Sequence, residues 1–470
     1  MPILLLALLA FGAPVQAATD WVAAVRAAAQ RAQVPERAVA VAAIPMAGGG
    51  RSQYLNADQP FAPASTMKVV TAYAGLELVG PAFRWYTRLY TDGQVRGDTL
   101  QGNLYFVASG DPKLTQERLW LMLRELRSQG IRQIDGDLVL DDSYFHLPAT
   151  WPVFNDDGND PLAPFLVEPH GLLTNLNSHQ ITLRARDGKV SAWMEPAMAG
   201  LKLETDITVS APGACPTRRN FSWQPSQDRR GQVTLTVRGT LPNGCTVSRY
   251  ASVLYPDAYT AGLLRGIWAE MGGHWRGDVR LGQLQAGTTL LASSPSPDLT
   301  TMVRDINKYS SNPMARMLYL NIGAQNRLPG DANDFVSTER VIREWMTKKG
   351  IPVAGLVLDN GSGLSRLERI SARQMTLLLE QAWQSPFAAE LVASMPLVAL
   401  DGTLHSRLRN TELVGEGHLK TGSLSGVRAI AGYLRDRDGV TWAVTIFINH
   451  RGHVPDRVID DMLKALRSAG

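Results

Sequence analysis

The stretch Pro63-Ala64-Ser65-Thr66-Met67-Lys68 opens a helical run whose apolar residues recur at Met67, Val70, Ala74 and Leu78. Ser65 and Lys68 are three positions apart, so on a helix they share one face, one turn from each other. A hydroxyl is a poor nucleophile until a neighbouring base takes its proton, and a neutral lysine can act as that base. A helix N-terminus also favours negative charge forming at Ser65. Taken alone, the pattern reads equally well as a helix N-cap followed by a solvated lysine.

Two further short patterns change the weight of the first. Ser310-Ser311-Asn312 stands at the start of a second helical run, after Tyr309 and before Pro313. A serine and an amide two apart can line one cleft, the first passing a proton and the second holding a peptide group. The plain alternative is a cap followed by proline in the first helical turn. Lys420-Thr421-Gly422-Ser423 lies on a late strand. Gly422 removes a side chain where a substrate backbone must come close, and Lys420 and Thr421 offer charge and a hydroxyl to a carboxylate. Its alternative is an ordinary strand end.

Each pattern occurs once, in the order Ser-x-x-Lys, Ser-x-Asn, Lys-Thr-Gly. Together they resemble the active-serine set of penicillin-binding proteins and class A β-lactamases. The 245 residues between Ser65 and Ser310 leave room for two extra domains. That layout resembles the D-alanyl-D-alanine carboxypeptidase/endopeptidase family, the low-molecular-mass class C penicillin-binding proteins. Ser109-Gly110-Asp111-Pro112, Asp359-Asn360-Gly361-Ser362-Gly363-Leu364-Ser365-Arg366 and Asp401-Gly402-Thr403-Leu404 match that family as well. Asn360 departs from it, standing where the family usually has Asp.

The resemblance implies an α+β chain with a β-lactamase/transpeptidase-like catalytic domain, an antiparallel sheet between helical layers. Two domains would be inserted between the first and second motifs. It implies that Ser65 attacks the penultimate D-alanine carbonyl, with Lys68 as base and Ser310 relaying the proton to the leaving amine. Asn312 would hold the substrate amide, Thr421 with Lys420 the terminal carboxylate, and the N–H groups of Ser65 and Ser423 the oxyanion. The substrate would lie as an added strand beside Lys420–Ser423, including Gly422. Asp160, Phe165 and Arg366 resemble family residues that shape substrate choice, Asp160 and Arg366 taking one charge each of a diaminopimelate side chain. Asp160 also reads as a turn former before Pro161. No metal or organic cofactor is implied; peptidoglycan stem peptides are the partners, and β-lactams covalent inhibitors.

The rest of the chain fits this frame. Its 470 residues are 45% hydrophobic and 19% charged, with a formal net charge of +4, as expected of a folded multidomain protein and not of a disordered or fibrous one. The charge is dispersed and excludes a nucleic-acid arm. Ile3 to Phe11 is an unbroken apolar run followed by the small-x-small end Val15-Gln16-Ala17, although no Lys or Arg precedes it. Residues 1–17 therefore read as a secretory signal peptide, placing the mature chain in the periplasm. No later run is long enough for a membrane span; peripheral membrane association through the helix after Pro455 is the most the pattern allows. Cys215 and Cys245 are expected to pair in that compartment, stabilising by roughly 3–4 kcal/mol in the chain-entropy model.

Organisation follows composition. The catalytic domain is expected over 18–87 and 290–470. A first inserted α/β domain is expected over 88–177 and 248–289, and a second, mainly β, over 178–247. The stretch Ser293 to Asp298 reads as a Ser/Pro linker. Two other functions compete: a β-lactamase, disfavoured because no Glu-x-x-Leu-Asn occurs, and a catalytically inactive cell-wall-binding protein, which would not need Ser65, Lys68, Ser310, Asn312 and Lys420 together. The absence of Gly-x-Ser-x-Gly disfavours an α/β-hydrolase esterase.

Overall fold

A strand that is apolar on both faces must be covered on both. Val39–Pro45 and Thr441–Asn449 are of this kind. In the computed structural model they lie inside a five-stranded antiparallel sheet. Its order is Gln53–Leu55, Val39–Pro45, Thr441–Asn449, Val427–Arg435, Gly417–Leu424. The structure describes residues 20–47, 50–150, 154, 160–229, 231–452 and 454–468. The signal peptide expected over 1–17 lies outside the described residues.

Alternation along each strand sends side chains to two different cores. Val41, Ile430, Val444 and Ile446 point to the face covered by the helices Trp21–Arg31 and Arg457–Arg467. Ala40, Ala42, Ala429 and Phe447 face the helices Met67–Leu78, Leu299–Lys308 and Ala372–Trp383. Small alanines on that second face let the helical layer come close. The terminal helices meet through Trp21, whose Nε1 donates to the Met462 carbonyl at 2.8 Å. Val458, Ile459, Met462, Leu463 and Leu466 are all buried there, so the apolar face of the last helix is used on the sheet. Among the described residues no helix is long and apolar enough to cross a membrane.

The chain leaves this layer on Tyr86–Thr91 and returns on Thr289–Pro295, and these two strands pair antiparallel. The Ser/Pro stretch read as a linker therefore begins inside a strand. Its ladder partner is some two hundred residues earlier, which local composition does not reveal. Beside Tyr86–Thr91, the strands Leu104–Val107, Leu138–Asp141 and Val279–Leu281 run parallel to one another. Parallel neighbours need crossover connections, and the helices Gln116–Ser128 and Pro256–Glu270 lie in those connections. The all-β part has two three-stranded sheets, one of them with the parallel pair Leu201–Ser210 and Val233–Pro242. One apolar cluster, including Leu104, Leu140, Ile181, Leu235 and Leu264, joins the parallel strands to these two small sheets.

Cys215 and Cys245 are disulfide-bonded, with Cα atoms 5.4 Å apart. The bond ties the loop ahead of Ser222–Gln227 to the turn after Val233–Pro242. Replacing both cysteines by serine is expected to lower the thermal midpoint, with a loss of roughly 3–4 kcal/mol in the chain-entropy model. Activity at 25 °C should persist, because neither cysteine is among the residues lining the cleft that holds Ser65. Calorimetry of the two proteins checks this; coincident midpoints would show that the closed loop adds nothing.

Candidate active site

Ser65 sits in the short turn Ala64–Thr66, which runs directly into the helix Met67–Leu78. The preceding Ala64 has φ 45°, and Ser310 has φ 56°. Both are in the left-handed region that non-glycine residues rarely adopt, so two of the three motifs carry backbone strain where they meet. Lys68 is fully buried. Its Nζ donates to Ser65 Oγ at 2.9 Å, to Asn312 Oδ1 at 2.6 Å and to the Ser362 carbonyl. Burial first, and then the neighbouring Lys420 charge, hold its pKa well below the ordinary lysine value; Glu368 opposes this and Arg316 adds to it.

Lys420 is also fully buried, and burial pushes its pKa down to about 7. Its Nζ donates to Ser310 Oγ at 2.9 Å and to the Thr421 carbonyl at 2.8 Å. The three motifs thus form one connected set: Ser65 to Lys68, Lys68 to Asn312, and Ser310 to Lys420. Ser65, Ser310, Asn312, Ser423, Leu364 and Phe165 all line a cleft of about 320 Å³.

The strand Gly417–Leu424 ends the sheet, so one of its edges has no strand beside it. The beginning of that edge is covered: Val398 N–H donates to the Gly417 carbonyl and Leu419 N–H to the Pro396 carbonyl, both at 2.9 Å. Strand alternation puts the main-chain groups of Thr421 and Ser423 on the same edge, past the cover. A β-carbon on Gly422 would stand 2.8 Å from the Pro63 carbonyl oxygen and 3.0 Å from Ser65 N. The glycine expected to make room for a substrate backbone therefore makes room for the chain's own Ser65 turn. Thr421 Oγ1 is 2.7 Å from Thr403 Oγ1, which brings the Asp401–Leu404 stretch to the same edge.

Phe165 borders the cleft, and its carbonyl accepts from Asn312 Nδ2 at 3.3 Å. Arg366 is exposed and donates to the carbonyl of Ser425, a cleft-lining residue, at 2.7 Å. Asp160 is not among the residues lining the cleft. Its Oδ1 accepts from Leu162 N–H at 3.0 Å, the turn-forming bond expected before Pro161, and its Oδ2 pairs with Arg249 at 2.6 Å. The neighbouring Asn159 lies outside the described residues.

One residue of the site, Glu368, escaped the sequence reading, and Gly363 stood in a matched stretch without a role. Glu368 is fully buried and accepts the N–H groups of Asn360 and Gly361 at 3.1 and 2.9 Å. Burial, and then the charge of Asp359, nevertheless raise its pKa to about 7. Gly363 has φ 80°, and a β-carbon on it would stand 1.8 Å from the Ala64 carbonyl oxygen. The Gly-Ser-Gly spacing was the available signal for Gly363; nothing local signalled Glu368. Asn360, the departure from the family pattern, accepts from Ser362 N–H and Oγ at 3.0 and 2.6 Å and donates to the Leu364 carbonyl at 3.0 Å. An aspartate could accept the first two bonds and could not donate the third.

An antiparallel sheet flanked by helices, with a serine–lysine pair where helix and edge strand meet, defines a serine enzyme of the β-lactamase/transpeptidase-like fold. The chain belongs to the D-Ala-D-Ala carboxypeptidase 3 (S13) family, whose model matches residues 22–469. It is 31% identical over 418 residues to a D-alanyl-D-alanine carboxypeptidase of Actinomadura sp., covering 85% of this chain and 75% of the relative. It is 29% identical over 399 residues to the D-alanyl-D-alanine carboxypeptidase DacB of Haemophilus influenzae, covering 82% and 80%. The crystal structure of penicillin binding protein 4 from Haemophilus influenzae matches with a TM-score of 0.78 at 24% identity. Its complex with a β-lactam matches with 0.73 at 25%, each covering 94% of this chain and 98% of the other.

Proposed function

We propose that this serine-type D-Ala-D-Ala carboxypeptidase removes the terminal D-alanine from peptidoglycan stem peptides, and opens D-alanyl cross-links, through an acyl-enzyme on Ser65. The observation that carries the reading is the fully buried Lys68 with its Nζ 2.9 Å from Ser65 Oγ. A lysine with its pKa held down this way can take the serine proton as Oγ attacks the carbonyl of the penultimate D-alanine. Ser310, hydrogen-bonded to Lys420, passes a proton to the leaving amine. Ser65 and Ser423 N–H groups receive the oxyanion. Asn312 holds the substrate amide, and Thr421 with Lys420 the terminal carboxylate. Water then cleaves the ester and restores the serine. A pure sample should release D-alanine from an N-acylated peptide ending in D-Ala-D-Ala; a folded sample that releases none would favour an inactive wall-binding protein.

Export to the periplasm, with the leader removed near Ala17, fits this substrate. Asp160 and Arg366 are assigned one charge each of the zwitterionic end of a diaminopimelate side chain, with Phe165, which lines the cleft, beside them. Asp160→Ala is expected to slow peptides with a free diaminopimelyl end roughly tenfold more than peptides lacking it. Paired kcat/KM measurements decide the point. Equal losses on both would leave Asp160 as a support of the Leu162 turn and of Arg249.

A further inference from the structure

A second cavity, of about 390 Å³, opens at the end of the edge strand, and Ser423, Leu424 and Ser425 line both it and the Ser65 cleft. Its lining also includes two cations, Arg428 and Arg451. Arg428 is already engaged: it donates to the Leu424 and Val427 carbonyls at 3.2 and 2.9 Å, and its Nε is 3.1 Å from Asp456 Oδ1. Arg451 is exposed and, among the described residues, belongs to none of the ion pairs. The cavity therefore presents a net positive charge that is free to meet a ligand.

The register of the bound peptide, on the reading given above, says which part of it arrives there. The terminal carboxylate is at Thr421 and the scissile carbonyl at Ser423. The peptide then runs toward its own N-terminus along Leu424 and Ser425, advancing about 3.3 Å per residue. The residue before the scissile D-alanine lies over Ser425. The one before that passes the end of the strand and enters the second cavity. In a stem peptide this position holds γ-linked D-glutamate, whose α-carboxylate is outside the main chain and is either free or amidated. We infer that Arg451 is a specificity residue that receives this carboxylate, so that the enzyme favours stem peptides bearing a free acid two residues before the scissile D-alanine over those bearing the carboxamide.

The inference rests on the Ser65 acyl-enzyme reading, and its test separates the two. Two peptides ending in D-Ala-D-Ala, identical except for γ-D-glutamate or its α-amide, are compared by kcat/KM. Wild type is expected to favour the acid about fivefold, the scale of a partly exposed ion pair, and the preference should shrink with added salt. Arg451→Gln is expected to bring the ratio close to one while leaving the amide peptide unchanged, and Arg451→Glu to reverse it. Penicillin acylation, which does not use this position, should be the same in all three proteins. A wild-type ratio near one, or a ratio that neither variant moves, overturns the inference while penicillin labelling of Ser65 leaves the main reading standing. Equal losses on both peptides also overturn it, because they would show that Arg451 only supports the hairpin.

Discussion

Ser65→Ala protein is expected to fold like wild type and to lose D-alanine release by roughly 10³-fold or more, with Lys68→Met close behind it, because nucleophile and base act as a unit. Lys68→Met also separates catalysis from stability. In the folded protein burial holds the Lys68 pKa well below 10.5, whereas in the unfolded chain it returns to its ordinary value. Between those two values the unfolded state binds a proton that the folded state lacks, so stability rises with pH across that window. Lys420, at about 7, contributes in the same direction. Removing Lys68 removes its share of the slope. Urea unfolding at pH 7 and pH 9.5 should therefore show wild type gaining on Lys68→Met as pH rises. Parallel curves would mean that Lys68 stays charged in the folded protein, which is incompatible with its role as base.

Gly363→Ala is expected to damage the site from a position that touches no substrate. Its φ of 80° is strained for any residue with a side chain, and the new β-carbon would overlap the Ala64 carbonyl, with Ser65 N only 2.6 Å away. The neighbours are backbone, so the Ser65 turn must shift. A displacement of about 1 Å at a reacting group can cost roughly 10²-fold, and acylation by penicillin should slow by at least that much. The destabilisation should be about 2–4 kcal/mol, as for other strained or overpacked positions. A wild-type acylation rate in this variant would show that the turn can move without consequence.

Much of the site was legible because each motif is a local pattern. Ser65 and Lys68 are held together by helical spacing, and the hairpin Val427–Arg435 with Thr441–Asn449 by the Asp436–Gly439 turn, where Asp436 Oδ1 accepts from Val440 N–H at 2.8 Å. The helix Ala372–Trp383 follows its apolar period. What was not legible depends on distant partners. Nothing beside Glu368 in the sequence marks it, yet it is buried, and it caps the Asn360 and Gly361 amides earlier in the chain. Asp160 reads as a turn former and is one, but its Arg249 partner stands 89 residues away. The stretch Ser293 to Asp298 reads as a linker, yet it begins inside the strand Thr289–Pro295, which forms through its partner Tyr86–Thr91.

The central claim is that Ser65 forms a covalent acyl-enzyme that water releases slowly when the leaving group cannot depart. A penicillin presents a strained amide in place of the D-Ala-D-Ala bond, and after ring opening its leaving group stays tethered in the cleft. The chain has no Glu-x-x-Leu-Asn element to activate water against such an ester. Incubating the pure protein with a labelled penicillin, then digesting and mapping it, should yield one long-lived label on the peptide that contains Ser65, absent from Ser65→Ala. Rapid turnover of the drug without a persistent label, a label on another residue, or no label in folded protein would contradict the account.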